Sequence, residues 1–346
     1  MSTQAPSQCQ RNVARALGIA DEQVVIHPQL MGGGFGRRLQ NDYAVEAALI
    51  SRAAGGPVKV VWSRQEDFLR TSLRTASMAR FHGTMNDEGL LRRVVVDVAA
   101  LDERRHLSGL SPLPYDIPDV QVRYAGRDSS ARIGYWRSVD HSQNIFFLES
   151  FVDECAAAAK VDGLQYRRRL LHQNPRALEL LDALQSLVAD TGGSVPATAT
   201  GWAYFEGYGG RVAAAVQMAD GAGPPATRRH TVFCVADCGL VINPSLVESQ
   251  LQGATLQAFS AAMYERIDMQ EGRIRQRGFS DYGLMQMRDA PVVHVRVLAR
   301  PDAAPSGVGE LAVPVIAPAL ANAWAVATGI RSRSLPLASR TPSPAA

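Results

Sequence analysis

Apolar side chains recur every three to four residues along several stretches of the chain, which is the pattern of helices that bury one face. In residues 144–160, for example, Phe147, Phe151 and Cys155 fall on one face. The spacing predicts helices over 12–18, 42–54, 144–160, 247–263 and 317–328, and two more within 163–187. Gly18 ends the first of these stretches and Gly329 follows the last, and glycine commonly ends a helix.

Shorter runs, rich in valine and isoleucine, predict β-strands. They cover residues 24–27, 58–62, 78–85, 90–100, 120–124, 212–219 and 231–236. Asn86–Gly89 predicts a turn that pairs the third and fourth strands, and residues 191–200 are small and polar, which predicts a loop. Because strands and helices do not alternate strictly, we predict an α+β fold rather than a doubly wound one.

Residues 104–119 are rich in proline and leucine and have no clear period, so they predict a domain boundary. We therefore expect one unit over residues 1–105 and a second over 106–338. The last residues, 339–346, are expected to be a disordered tail. A chain of 346 residues is long enough for one large domain or two medium ones.

The composition is that of an ordinary globular protein, with 46% hydrophobic and 20% charged residues. The net charge of +3 is small, and no basic tract suggests nucleic-acid binding. Cys234 and Cys238 are four apart and no second pair accompanies them, which argues against a zinc site or an iron–sulfur cluster. We expect all four cysteines to be buried free thiols.

Glycines crowd the segment between the first predicted strand and the helix over 42–54. Such a loop can cradle a phosphate, because glycines let backbone N–H groups approach an anion. The dinucleotide-binding pattern fails, since Arg37 stands at its last glycine position, and no Gly-Lys-Ser/Thr follows for a nucleotide P-loop. The loop over Gly32–Arg38 is therefore either a flexible turn or a cradle of another design.

This loop is one of several segments that together resemble the molybdenum hydroxylases, the family of xanthine oxidase and aldehyde oxidase. Within that family, the segments resemble the larger, molybdopterin-binding chain of the isoquinoline 1-oxidoreductase type. The segments follow the family order, from Thr3–Pro6 to Leu337. They are Gly32–Arg38, Gly134–Val139 with Glu149–Glu154, Ala236–Pro244 with Gln250–Gly253, Phe279–Tyr282, and Gly307–Glu310 with Pro318–Ala323. The resemblance implies a molybdopterin-binding fold, with residues 1–105 ending a first molybdopterin-binding domain and 106–338 forming a second.

The resemblance also implies a role for each matched segment. Glu310 would be the general base of an oxidative hydroxylation that uses water-derived oxygen, and Arg137 would face an N-heterocycle or aldehyde substrate. No metal ligand from this chain is implied. The residues implied to bind molybdopterin with molybdenum, in its cytosine dinucleotide form, are Gly32, Gly33, Gly34, Phe35, Gly36, Arg37, Gln250, Gly253 and Gly309.

Without the resemblance, the same side chains have plainer interpretations. Glu310 could be a surface residue of a glycine-rich turn, although the apolar run that follows it could supply the burial that a carboxylate base needs. Arg137 could form a cation–π pair with Trp136 or a buried ion pair with Glu149 or Asp153. Asp237 and Asp281 could each cap a turn.

The family's catalytic chain is roughly twice as long as this one, so we expect the N-terminal half to be a separate chain and this chain to be inactive alone. The resemblance also implies a partner with two 2Fe–2S clusters, and no iron–sulfur motif occurs in this chain. A non-catalytic remnant and a cofactor-binding or interaction module are the alternatives. No apolar run is long enough to span a membrane and nothing at Met1 resembles a signal peptide. A cytoplasmic location is the default expectation, with the periplasm open for the assembled enzyme.

Overall fold

The computed structural model of the protein describes residues 1–104, 106–129, 131–191, 197–219 and 228–338. The predicted tail over 339–346 lies outside the described residues, as do residues 192–196 of the predicted loop. The helices are α1 (Pro6–Leu17), α2 (Asp42–Ala54), α3 (Arg64–Arg70), α4 (His141–Ala158), α5 (Gly163–Leu170), α6 (Pro175–Thr191), α7 (Pro244–Met263) and α8 (Val313–Thr328).

The strands form one sheet of three, one of four and a short hairpin, so the fold is α+β as predicted. They are β1 (Ser77–Met85), β2 (Leu91–Ala100), β3 (Asp119–Gly126), β4 (Ala197–Gly207), β5 (Gly210–Ala219), β6 (His230–Asp237), β7 (Met269–Gln270), β8 (Arg273–Ile274) and β9 (Val292–Leu298). The three-stranded order is β1-β2-β3 and the four-stranded order is β4-β5-β6-β9. In each sheet the last strand runs parallel to its neighbour and the other pairs are antiparallel.

The chain divides into two compact units. Unit 1 comprises Met1–Ala76, Asp128–Val139 and Ile267–Asp281, and unit 2 comprises Ser77–Arg127, Asp140–Arg266 and the described residues from Tyr282 onwards. The boundary predicted between residues 105 and 106 is therefore corrected. β2 and β3 pair side by side across it, because Arg93 to Ala100 align with Asp119 to Gly126 in one sheet.

Most predicted helices are present, although α1 begins six residues before the predicted start. Gly18 ends it in the left-handed conformation, as Gly329 ends α8. The strands predicted over 24–27 and 58–62 are wrong, because both segments are irregular. The first is held by side-chain and terminal groups rather than by a neighbouring strand, with Gln10 donating to the carbonyl of Val24 and the Met1 amino group donating to that of His27.

The loop predicted over 191–200 overlaps β4, which the sequence interpretation missed together with β9. β4 lies against α8 so closely that a Cβ on Gly201 would fall 2.2 Å from the carbonyl oxygen of Ala319. Only glycine permits this approach. β5 and β6 are buried on both faces, and α8 contributes a nearly continuous run of buried residues from Val313 to Ala323. These elements form the main core of unit 2.

A buried ion pair joins three elements inside that core. Arg167 on α5 and Glu149 on α4 have fully buried side chains, and Arg167 Nε lies 2.8 Å from a Glu149 oxygen. The same carboxylate accepts from the backbone N–H of Tyr204 at 2.8 Å and from the hydroxyl of Tyr115. Each buried polar group is therefore satisfied by another, which is the condition under which a buried charge is tolerated.

None of the helices among the described residues is both long and apolar enough to cross a membrane.

Candidate functional site

The glycine loop of unit 1 has a conformation that requires its glycines. Gly36 has a φ of +88°, and a Cβ on it would lie 2.8 Å from the carbonyl carbon and oxygen of Tyr135. The Gly36 N–H donates to the side-chain oxygen of Gln4 at 3.2 Å. Phe35, beside it, also has positive φ, at 49°, and its side chain is half exposed. The loop is therefore a fixed turn seated on the backbone next to Arg137, rather than a flexible connection.

Arg37 fastens this loop to the rest of unit 1. Its guanidinium donates two hydrogen bonds to the carboxylate of Asp42, at 2.9 and 3.1 Å, and one to the hydroxyl of Thr71 at 2.8 Å. A bidentate pair of this kind is geometrically specific. These contacts give Arg37 a structural role, and its contact with a cofactor stays a prediction.

Arg137 is buried, with 7% of its surface exposed, and its guanidinium lies over the ring of Phe35 at 5.9 Å from the ring centre. The ring of Trp136 is covered by another arginine, Arg74, whose guanidinium lies 4.6 Å from the ring centre. Glu149, one of the carboxylates expected for Arg137, is paired with Arg167. Phe35 and Arg137, two of the predicted site residues, therefore come together in unit 1.

The backbone just after Arg137 is strained. Ser138 and Val139 both have positive φ, at 73° and 47°. For a β-branched residue this conformation is rare, and each such residue costs on the order of 1–2 kcal/mol. Strain of this kind is concentrated at functional sites in proteins. It supports a special role for the turn that presents Arg137.

A second group of predicted residues comes together in unit 2. Gln250 and Gly253 lie three residues apart on α7 and therefore share a face. The Gln250 side-chain oxygen lies 3.9 Å from the position that a Cβ on Gly309 would occupy. A Cβ on Gly253 would meet nothing within 4 Å among the described residues. A glycine inside a helix costs about 0.5–1 kcal/mol relative to alanine, so Gly253 fits a surface that something else approaches closely.

Glu310 follows Gly309 directly and stands at the edge of the core. Its own side chain is partly buried, and Leu311 begins a run of buried residues that continues into α8. Tyr208 forms a side-chain hydrogen bond with Glu310. Burial, together with the charge and hydrogen bond of Glu310, raises the pKa of Tyr208 well above its ordinary value. The phenol therefore stays protonated and donates to the carboxylate.

His141 and Tyr208 are site residues that sequence reasoning missed. The Tyr208 hydroxyl lies 3.0 Å from Nδ1 of His141. The available signal was the segment Gly207–Gly210, because glycines around one residue between two runs of small and apolar residues are typical of a hairpin turn. Recognising β4 would have placed Tyr208 at the tip of that hairpin.

Asp237 in the Ala236–Pro244 motif has a structural task. Its fully buried carboxylate pairs with Arg176 at 2.7 Å and accepts from the N–H of Gly239 at 3.2 Å, so it caps a turn as the sequence suggested. Burial alone would raise its pKa, but the arginine partners and the Gly239 bond lower it overall. Gly239 in turn touches the segment before Glu310, because a Cβ there would fall 2.0 Å from the Ala304 carbonyl oxygen.

Asp281 is also a cap. Its carboxylate accepts from the N–H groups of Arg277 and Gly278, at 3.0 to 3.1 Å.

The four cysteines are buried free thiols, as expected. Burial raises the pKa of Cys234 to about 12, which leaves it unreactive at neutral pH. Among the residues that the structure describes, no group of three or more histidine, cysteine or acidic side chains is arranged to hold a metal ion.

The predicted site residues thus form two local groups. Gly36, Phe35 and Arg137 are assembled within unit 1, and Gln250, Gly309 and Glu310 within unit 2.

Comparison with known protein families gives two matches. The profile of a molybdopterin cofactor-binding domain matches residues 1–171, and a second profile with the same description matches residues 189–291.

Two curated relatives match almost the whole chain. The beta chain of isoquinoline 1-oxidoreductase from Brevundimonas diminuta is 32% identical over 97% of this chain, and a nicotinate dehydrogenase chain from Pseudomonas putida is 29% identical over 97%. The chain spans 46% of the first of these proteins and 31% of the second. It therefore corresponds to about half or less of the length of these relatives.

Two solved structures share the fold. Quinoline 2-oxidoreductase from Pseudomonas putida 86 superposes with a TM-score of 0.84 at 15% identity, over 97% of this chain and 70% of that one. The aldehyde oxidoreductase from Desulfovibrio gigas gives a TM-score of 0.81 at 14% identity, over 94% of this chain and 55% of that one. At these identities the likeness concerns the fold alone.

Proposed function

Because the chain belongs to the molybdenum hydroxylase family, we propose that it is part of a catalytic subunit and takes part in the oxidative hydroxylation of an N-heterocycle or an aldehyde with water-derived oxygen. The observation that carries the proposal is the placement of Glu310. It adjoins the group formed by Gln250 and Gly309, and it receives a hydrogen bond from Tyr208.

The residues present fit a large planar cofactor. Gly32 and Gly253 would each carry a Cβ into open space, so nothing among the described residues accounts for their lack of a side chain. We propose that Gly32–Arg37, Gln250, Gly253 and Gly309 bind molybdopterin in its cytosine dinucleotide form. When bound, this cofactor would supply the molybdenum that carries the redox and oxygen-transfer chemistry.

Glu310 is proposed as the general base. Its carboxylate accepts the proton whose removal makes a water-derived oxygen nucleophilic. A base of this kind works in a site that excludes bulk water, and the buried run from Leu311 onwards provides one dry wall.

Arg137 is proposed to orient the substrate. Its guanidinium is already desolvated, and it is held over the ring of Phe35. A positive charge fixed in this way can bind an electron-rich heteroatom or stabilise negative charge that develops during attack. No such role follows for Trp136, which is covered by Arg74.

Unit 1 carries many apolar side chains that are exposed, among them Val25, Leu30 and Val61 at 70, 103 and 76%. Exposed apolar surface of this extent is typical of an interface with another polypeptide. We propose that the remainder of the catalytic subunit covers it, and that a further subunit with two 2Fe–2S clusters receives the electrons. The chain by itself is then inactive.

The test is Glu310→Gln in the complex assembled with these partners. The amide keeps the size of the side chain but cannot accept the proton, so turnover should fall on the order of a hundred- to ten-thousand-fold. Molybdenum content, measured on the same sample, should not change. The matched control is Glu265→Gln, because Glu265 also accepts from a tyrosine hydroxyl, that of Tyr282 at 2.8 Å.

Near-normal turnover in the Glu310→Gln complex, at full molybdenum content, would remove Glu310 from the mechanism. A wild-type complex that takes up no molybdenum would support the alternative of a non-catalytic remnant or interaction module.

A further inference from the structure

Tyr208, at the tip of the β4–β5 hairpin, has a backbone conformation that is unfavourable for a bulky residue. Gly207 pairs with Gly210, which leaves Tyr208 and Gly209 as a two-residue turn. Both have positive φ, at 56° and 79°, as a type I′ turn requires. Glycine, asparagine and aspartate are the usual residues there, and a bulky aromatic residue at positive φ is an outlier. The surrounding structure must therefore hold Tyr208 in place.

The side chain of Tyr208 is held by three neighbours. Its hydroxyl lies 3.0 Å from His141 Nδ1 and is hydrogen-bonded to Glu310. Its ring packs against the His141 ring at 4.8 Å between centres and against the Phe205 ring at 6.1 Å. The strained residue thus links the N-terminal end of α4 to the turn that carries Glu310.

The hairpin tip is also seated directly on the segment before Glu310. A Cβ on Gly210 would lie 2.8 Å from the Ser306 hydroxyl and 3.2 Å from a methyl of Leu311. That segment is tied from its other side, where the N–H of Ser306 donates to the carbonyl of Cys238 at 2.9 Å. The hairpin tip and the segment before Glu310 are therefore packed directly against each other.

We propose that Tyr208, supported by His141, is a positioning residue for Glu310: it donates its hydroxyl proton to the carboxylate and fixes the direction in which that carboxylate faces. The inference rests on the proposed role of Glu310 as general base. A phenol has one proton. Since Tyr208 gives that proton to Glu310, its oxygen accepts from His141, which must carry its proton on Nδ1.

Electrostatics support this direction of the hydrogen bonds. Burial raises the pKa of Tyr208, and the negative charges of Glu310 and Asp140 raise it further. Asp140 is itself held in place, because its carboxylate accepts from the N–H of Ser108 at 2.9 Å. Tyr208 consequently remains a hydrogen-bond donor throughout the neutral range.

The coupling can be measured in the isolated chain, without cofactor, by following the titration of His141 in ¹⁵N-histidine NMR spectra. Glu310→Gln removes a negative charge, so it should lower the pKa of His141. Tyr208→Phe keeps the ring but removes the hydroxyl that joins His141 to Glu310. In that background, Glu310→Gln should change the pKa of His141 by less than about half of the change seen with Tyr208 present. Tyr282→Phe, which removes the hydroxyl of the other tyrosine–glutamate pair, should leave the coupling intact.

An equal change in both backgrounds, or no change in the wild-type background, would overturn the inference. A second measurement applies to the assembled enzyme, where Tyr208→Phe should lower kcat on the order of tenfold and change KM by less than about twofold. Loss of turnover in Glu310→Gln without any NMR coupling would leave the base assigned and Tyr208 excluded. If the isolated chain shows the NMR coupling but the assembled Glu310→Gln enzyme stays active, only the proposed function is refuted.

Discussion

The two compact units differ sharply in how much apolar surface they bury. In unit 1, the core cluster consists of Cys9, Val13, Ala14 and Val24, with partly buried neighbours from α2. α2 and α3 have no fully buried residue. In unit 2, α8 alone buries twelve residues, and β6 is buried over nearly its whole length.

This difference shows how the two local groups of predicted residues are held. Glu310 is presented by a segment packed between a hairpin and a dense helix, so burial fixes its position. Phe35 and Arg137 are presented by strained turns that local contacts hold, chiefly the Gly36 contact and the Arg37–Asp42 pair. A small core contributes little stability, so unit 1 depends more on each local contact and on its proposed partner.

The largest effect on stability is expected from a substitution in the buried core of unit 2. Arg167→Met would leave Glu149 buried without its cation, which costs about 3–5 kcal/mol of unfolding free energy. Chemical denaturation would measure this loss, and hydrogen exchange should show it in α4 and α8 more than in α2. The control is Arg333→Met, whose partner Glu154 forms an exposed pair worth no more than about 1 kcal/mol.

Equal losses of stability in these two arginine variants would mean that the buried pair does not support the core, and the contrast between the units would rest on apolar packing alone.

The same contrast explains which elements could be predicted from sequence. α4, α7, α8 and the β1–β2 hairpin carry strong periodicity and good turn signals, and all are present. The valine-rich run over 58–62 looks like a buried strand but has no sheet beside it. Apolar composition indicates burial, and it cannot say whether a neighbouring strand exists to pair with.

β4 was missed for a different reason. It contains Gly201, which lowers strand propensity, but the glycine is required by contact with α8, and that contact spans more than a hundred residues. The domain boundary was misplaced because β3 lies beyond an irregular proline-rich segment and still pairs with β2. Neither fact is local, so neither can be derived from periodicity.

The candidate site was predictable in part. Motifs identified Glu310 and Arg137, and the structure puts each of them within a group of other predicted residues. Motifs did not indicate Tyr208 or His141, since their importance comes from the contact that brings a hairpin tip to the end of α4. Sequence offered Glu149 as one possible partner of Arg137, and in the structure the carboxylate of Glu149 is paired with Arg167.

An intermediate effect on stability is expected when the pH is lowered, and its cause should be a buried histidine of unit 2. His230 is buried at the start of β6, its ring contacts Phe259, and its Nε2 has no hydrogen-bond partner among the described residues. Burial lowers the pKa of His230 to about 4 from its ordinary 6.5. The folded protein thus holds fewer protons than the unfolded chain between these values, so stability falls as the pH drops through that window.

The loss should approach about 3.5 kcal/mol, from a pKa shift of about 2.5 at roughly 1.4 kcal/mol for each pKa unit. His230→Phe should flatten the dependence of the unfolding free energy on pH between about 4 and 6.5. The matched control is His82→Gln, at an exposed position of β1, which should leave the pH dependence of the unfolding free energy unchanged. A His230→Phe variant as acid-sensitive as the wild type would show that other groups cause the loss.

The smallest effect is expected in unit 1, and it concerns one methyl group. Gly36→Ala would place a Cβ 2.8 Å from the backbone of Tyr135 at a φ of +88°, so the loop must either shift or remain strained. Strain of this kind costs on the order of 1–3 kcal/mol. Backbone cannot give way as a flexible side chain would, so the loop should move away from the segment that carries Arg137.

Gly56→Ala is the control for that substitution, because its added Cβ meets nothing within 4 Å and its φ is not positive. The measurement is the amide spectrum of the isolated chain. Gly36→Ala should shift the signals of Tyr135 to Arg137 and speed hydrogen exchange in α1 and α2, and Gly56→Ala should do neither. If the two variants behave alike, the Gly36 contact does not hold the loop. The weakly packed unit would then depend on its partner, rather than on its own turns, to present Phe35 and Arg137.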